Sequence, residues 1–207
     1  MKDNNYSVVT NWNYVTLSLI VFALITVLVL YLPGIREFDT EMLRATRRFL
    51  GQFPSYIPVF FSNHGGIGNF WWPQIAAVSV LVSHHKYLKA FLLVFFTQGA
   101  YIFVDSFLKN IISRERPCVY HGYSFPSGHA TITMCFYGIV IYLILHYVRS
   151  NFWRNFLAIF FGFMIFMVAI SRLWLGVHFP TDVIAGLFLG FLFVNLNIIL
   201  DKFFSAR

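Results

Sequence analysis

The chain has 207 residues, of which 58 % are hydrophobic and only 11 % charged, with 26 Phe and a formal net charge of +7. A soluble domain carries about 25 % charged residues, and this much apolar surface cannot be hidden in one core of this size, so lipid must act as solvent and a soluble fold is excluded. The Lys and Arg residues are spread over short loops and form no basic stripe, which argues against nucleic acid and for anionic lipid headgroups as partners.

A polar stretch of 13 residues precedes the first apolar run and no small-residue cleavage site follows it, so the first helix is expected to stay as an anchor. That run, Val15 to Leu32, spans 18 residues and ends at Pro33-Gly34, long enough to cross a hydrocarbon core. The connection from Gly34 to Gly66 contains Asp39-Thr40-Glu41, then Met42, Leu43, Thr46, Phe49 and Leu50 on one face and Arg44, Arg47 and Arg48 on another. It reads as an amphipathic interfacial helix, which either braces helices 1 and 2 or lines the entrance for an anionic lipid. Helix 2 is expected to begin around Ile67 to Pro73 and to run to Val82, a proline being tolerated in a first turn.

Helix 3 is expected from Leu88 to Leu108, helix 4 from His129 to Val148, helix 5 from Phe156 to Ile170 and helix 6 from Thr181 to Leu200. Gly186 and Gly190 have the small-xxx-small spacing that lets a neighbouring helix approach closely. The expected fold is all-α: one domain over residues 1–207, six transmembrane helices, and the amphipathic helix between helices 1 and 2. Cys118 and Cys135 are too few for a disulfide framework and carry no evident function.

Polar residues at membrane depth are costly, so their positions are informative. Lys109 closes helix 3, Arg116, Ser127 and His129 precede or open helix 4, Arg172 closes helix 5, and His178 and Asp182 introduce helix 6. In an alternating bundle all of these fall on one membrane face. Cations neutralise phosphoryl oxygens and the charge of the transition state, and Pro126-Ser127-Gly128-His129 opening a helix presents free N–H groups to an anion. One histidine can attack phosphorus while the other protonates the leaving group, and Asp182, four residues after His178, can orient a ring. No acidic cluster or cysteine pair suggests a metal site, and no cofactor is expected.

Some residues read more plainly. Asp105 and Lys109 stand at i, i+4 and can form an intrahelical ion pair, and Arg114 and Glu115 read as solvated loop charges. His64, His84, His85, His121 and His146 have no partner at informative spacing, and Tyr120 and Tyr123 read as interfacial anchors before headgroup contacts.

Lys109-x6-Arg116-Pro117, Pro126-Ser127-Gly128-His129 and Ser171-Arg172-x5-His178-x3-Asp182 together resemble the three-part signature of the type 2 phosphatidic acid phosphatase superfamily. The resemblance implies a metal-independent lipid phosphatase in which His178 forms a phosphohistidine, Asp182 orients it and His129 is the general acid. Lys109, Arg116, Ser127, the Gly128 backbone and Arg172 would hold the phosphoryl oxygens. Undecaprenyl diphosphate or phosphatidylglycerophosphate is the favoured substrate, with phosphatidic acid and lipid A phosphate as further candidates. Only eight residues, Cys118 to Phe125, separate Arg116-Pro117 from Pro126, fewer than in many members of that superfamily. A lipid-phosphate binding or transport protein without chemistry, or a vanadate-holding oxidative enzyme, are the competing classes.

The resemblance points to a bacterial inner or plasma membrane with the site facing the periplasm or exterior. Charge adds little: seven Lys and Arg fall on the terminal side against eight opposite, or five once Lys109, Arg116 and Arg172 are set aside for chemistry. The sequence is silent on oligomeric state.

Overall fold

The computed structural model describes residues 3–65, 71–119 and 121–205, with side chains from residue 11 onward. Helix is the regular structure among the described residues. In chain order they form α1 (Asp3–Tyr31), α2 (Ile35–Leu50), α3 (Tyr56–Gly65), α4 (Trp71–Ser83) and α5 (Tyr87–Ile102). The chain continues from α5 through a π-helical segment, Phe103–Leu108, into α6 (Lys109–Ile112), followed by α7 (Gly128–Tyr147), α8 (Asn151–Trp174) and α9 (Pro180–Ser205).

Among the described residues, five stretches are long and apolar enough to cross a membrane: Asn11–Tyr31, Tyr87–Ile112, Gly128–Tyr147, Asn151–Trp174 and Pro180–Ser205. They make this an integral membrane protein. The expected second span corresponds to α4, whose 13 described residues reach about 20 Å at 1.5 Å per residue, short of a hydrocarbon core of roughly 30 Å. Its expected start at Ile67 lies outside the described residues. The other spans are where the apolar runs placed them, α7 shifted by one residue and the rest with longer ends. α8 begins at Asn151 because Ser150 caps it, accepting from the Trp153 N–H at 3.5 Å, and Pro180 occupies the first turn of α9, where it has no N–H to satisfy.

Helix α7 is the centre of the bundle, packed against α9, α8, α5 and α3. Leu93 and Ala100 of α5, Cys135, Phe136 and Ile139 of α7 and Val194 of α9 form its dry interior. The α7–α9 seam depends on the two glycines singled out above. A Cβ on Gly186 would stand 2.6 Å from the Ser127 carbonyl oxygen, and one on Gly190 2.5 Å from the Thr131 carbonyl oxygen. α1 lies antiparallel along α9: Asn11 donates to Asn195 at 3.0 Å and accepts from Lys202 at 2.9 Å, which brings the two terminal helices' outer ends together. The same end holds Asp201, paired with Lys89 and accepting from the Tyr142 hydroxyl.

The segment after Pro33 departs from expectation. α2 starts at Ile35, following Gly34 at φ +89°, so Asp39 lies inside the helix and not at its start. Its side chain and that of Leu43 face the bundle, fully or nearly buried, while Phe38, Met42 and Phe49 face outward. A second helix, α3, occupies what was read as connection, and it packs on α8 and α7. Gly65, at its end, approaches so closely that a Cβ would stand 2.2 Å from Val168.

Candidate active site

The polar residues named from the sequence converge at the end of the bundle opposite the termini. His178 lies in the short turn between α8 and α9 and is 1 % exposed. Gly176, at φ +69°, turns the chain there, and the Val177 N–H returns to the Arg172 carbonyl at 3.1 Å. Arg116 reaches into this turn, donating from Nη1 to the Val177 carbonyl at 3.1 Å and lying 3.3 Å from His178 Nε2. The other ring nitrogen, Nδ1, is 3.6 Å from Asp182 Oδ2, longer than a hydrogen bond but on the side a histidine–carboxylate pair requires.

Asp182 is fully buried, in the first turn of α9, where a carboxylate is favoured by the helix dipole. Its Oδ2 accepts from the Phe179 N–H at 2.8 Å. Its backbone carbonyl accepts from the Ser127 N–H at 3.0 Å, joining the start of α9 to the start of α7.

Ser127 stands at the N-cap position of α7, but its hydroxyl makes no capping bond. That oxygen is buried without a partner, as is Arg116 Nε, and Gly128 follows it with Lys109 Nζ only 3.6 Å from where a Cβ would be. Buried donors with nothing to donate to are costly, so the Ser127 hydroxyl at the start of α7 and Arg116 Nε beside the His178 turn mark a place for an anion. His129 lies within electrostatic reach of Arg172, His178, Lys109 and Arg116. Arg172, 7 % exposed, donates to the Ser62 hydroxyl of α3.

Lys109 does form the i, i+4 ion pair with Asp105, and it also faces Gly128. The π-helical turn ahead of it, in which the Lys109 N–H bonds back to the Val104 carbonyl, rotates the lysine relative to a regular helix. Among the described residues no group of three His, Cys, Asp or Glu stands close enough to hold a metal.

Two contributors escaped the sequence. Ser62 sits on the helix that was not expected. Arg114, read as a solvated loop charge, is a correction: its side chain is only 10 % exposed and bridges Asp39 and Asp182, each at 2.6 Å. The short loop folds back to hold it, with the Ser124 N–H bonded to the Arg114 carbonyl at 2.7 Å. Glu115, by contrast, is exposed and pairs with exposed Arg36. Tyr120 lies outside the described residues.

Such a centre is suited to a phosphoryl group, and on this fold that defines the class, an integral membrane phosphatase. The chain belongs to the PAP2 superfamily, whose model matches residues 86–203, and within it is a phosphoric monoester hydrolase. Phosphatidylglycerophosphatase B of Bacillus subtilis (strain 168) is 28 % identical over 185 residues, covering 86 % of this chain and 91 % of that protein. Lipid A 4′-phosphatase of Bacteroides thetaiotaomicron is 27 % identical over 175 residues, covering 74 % and 72 %. The crystal structure of a transmembrane PAP2-type phosphatidylglycerolphosphate phosphatase from Bacillus subtilis shares the fold with a TM-score of 0.76 at 24 % identity, covering 93 % of this chain and 96 % of that one.

Proposed function

We propose that this protein hydrolyses the phosphomonoester or diphosphate of a lipid through a phosphohistidine on His178. The observation that carries this reading is the two-sided setting of that ring: Nε2 faces Arg116 at 3.3 Å in the cationic pocket, and Nδ1 faces Asp182 at 3.6 Å. Burial, reinforced by Arg172 and Arg116 and opposed by Asp182, pushes the imidazole down to about 4, so the ring is neutral at neutral pH. With Nδ1–H directed to Asp182, Nε2 is the unprotonated nitrogen; its lone pair accepts from Arg116 at 3.3 Å and turns to phosphorus when the phosphoryl oxygens take over that guanidinium.

In the first step Nε2 bonds to phosphorus, the bond from phosphorus to the lipid or diphosphate oxygen breaks, and His129 gives that oxygen its proton. In the second step a water gives its proton to His129 and attacks phosphorus, releasing phosphate and restoring His178. Lys109, Arg116, Arg172, the Ser127 hydroxyl and the Gly128 N–H hold the three phosphoryl oxygens, whose charge grows in both transition states. None of these steps calls for a metal.

A lipid is the substrate because the site lies at the ends of membrane-crossing helices, and the relatives above are named for phosphatidylglycerophosphate and lipid A. Undecaprenyl diphosphate and phosphatidylglycerophosphate remain favoured, the loop from Cys118 to Phe125 being short. With Arg114 also committed to the site, seven Lys and Arg on the terminal side stand against four opposite, which favours cytoplasmic termini and a site facing the periplasm or exterior of a bacterial membrane.

The test is phosphate release by purified protein in detergent with excess chelator, over undecaprenyl diphosphate, phosphatidylglycerophosphate, phosphatidic acid and lipid A phosphate, beside His178→Ala. Release abolished by His178→Ala is expected. Binding of these lipids without release from any of them would replace this reading with binding or transport.

A further inference from the structure

Arg114 occupies a position that phosphate binding does not explain. Its guanidinium lies between two carboxylates, Asp39 and Asp182, both fully buried. Nη2 donates to Asp39 Oδ2 at 2.6 Å, and Nη1 donates to Asp182 Oδ1 at 2.6 Å and to the Thr181 hydroxyl at 2.8 Å. That hydroxyl donates in turn to Asp39, whose other oxygen accepts from the Thr181 N–H at 3.2 Å. The guanidinium face rests on the Phe179 ring, 4.3 Å from its centroid. Both terminal nitrogens of Arg114 are therefore committed within the protein.

The two oxygens of Asp182 divide between two neighbours. Oδ1 belongs to Arg114, while Oδ2 takes the Phe179 N–H and faces His178 Nδ1. A carboxylate fixed at both oxygens cannot rotate about its bond to Cβ, so Arg114 sets the plane in which Oδ2 meets the imidazole. Asp39 balances the arrangement from α2: it holds the far side of the guanidinium and the first turn of α9 at Thr181.

We infer that Arg114 and Asp39 are positioning residues for the reaction, fixing the Asp182 carboxylate and through it the orientation and tautomer of His178. The assignment rests on the reading of His178 as nucleophile. It extends the machinery to α2.

The experiment compares Asp39→Asn, Arg114→Gln, the double variant and His178→Ala in steady-state phosphate release from phosphatidylglycerophosphate, below the lowest melting temperature of the set. Arg114→Gln should lower kcat by about tenfold or more, with KM within about twofold, the scale of losses seen when the partner of an active-site ligand is removed. Asp39→Asn, which leaves Arg114 its bond to Asp182, should lose less, about threefold, again in kcat. The double variant should recover severalfold over Arg114→Gln, because no buried anion then opposes Asp182. A purely structural role would lower the melting temperatures and leave kcat of the folded protein untouched, and that result overturns the inference. So does a loss confined to KM, or a double variant no better than Arg114→Gln. If Arg114→Gln does not fold, Asp39→Asn decides alone by the same split. Retained turnover in His178→Ala would instead remove the nucleophile reading, so the two failures are told apart.

Discussion

Replacing Gly186 by Ala tests whether the α7–α9 seam sets the geometry of the chemistry. The added Cβ would stand 2.6 Å from the Ser127 carbonyl oxygen, 3.1 Å from the Ala130 Cβ and 3.1 Å from the Thr131 hydroxyl. Contacts settle near 3.5 Å, so the first is about 0.9 Å too close, and it is made to backbone that cannot swing aside. The start of α7, with Ser127, Gly128 and His129, must move away from α9, which carries Asp182. A displacement near 1 Å in an active site costs up to about 10²-fold in rate, and overpacking a helix seam costs about 1–3 kcal/mol. Gly162→Ala on α8 is the control, since nothing lies within 4 Å of its Cβ position and its only effect is a gain in helix propensity of up to about 1 kcal/mol. Phosphate release and thermal melting are measured for both. The expected result is a kcat loss of at least about tenfold for Gly186→Ala and none for Gly162→Ala. A Gly186→Ala enzyme within twofold of wild type would refute the reasoning.

Lys109 both pairs with Asp105 and faces the pocket, and kinetics separate the two roles. Lys109→Met should cost about 10²-fold or more in kcat/KM, whereas Asp105→Asn should stay within about threefold; equal losses would make the ion pair the important element. The acid side of stability follows from His178, held near 4 when folded against an ordinary 6.5. Between those values the unfolded chain binds one more proton, so the stability present above about 6.5 is lost progressively as pH falls toward 4. Melting curves of wild type should therefore fall more steeply over that window than those of His178→Gln, and parallel curves would show that the ring is not held neutral.

The grouping of the polar residues was legible because a membrane removes most alternatives. Lys109, Arg116, Ser127, His129, Arg172, His178 and Asp182 are polar groups at span ends, and alternation of the spans brings those ends together without tertiary information. Helix–helix detail was partly legible: Gly186 and Gly190 mark a close seam, and the structure supplies its partner, α7. What stayed hidden is long-range pairing. Arg114 lies two residues before Arg116 in a loop, where a solvated charge is the ordinary reading, and its partner Asp39 is 75 positions earlier. One signal was available: Asp39 shares a face with Leu43 on an otherwise amphipathic helix, and an acid on an apolar face needs a cation. α3 was missed because it is ten residues long and carries Pro58, and with it went Ser62 beside Arg172.

The measurement that bears most directly on the central claim is acid-labile, base-stable phosphate on the protein. Lipid labelled in its scissile phosphate is mixed with wild-type enzyme, turnover is quenched with alkali on the millisecond scale, and the label is located by peptide mass spectrometry. The account predicts label on His178, absent from His178→Ala and formed fast enough to support kcat. Label on another residue, or full turnover with none on the protein at any time, would contradict it.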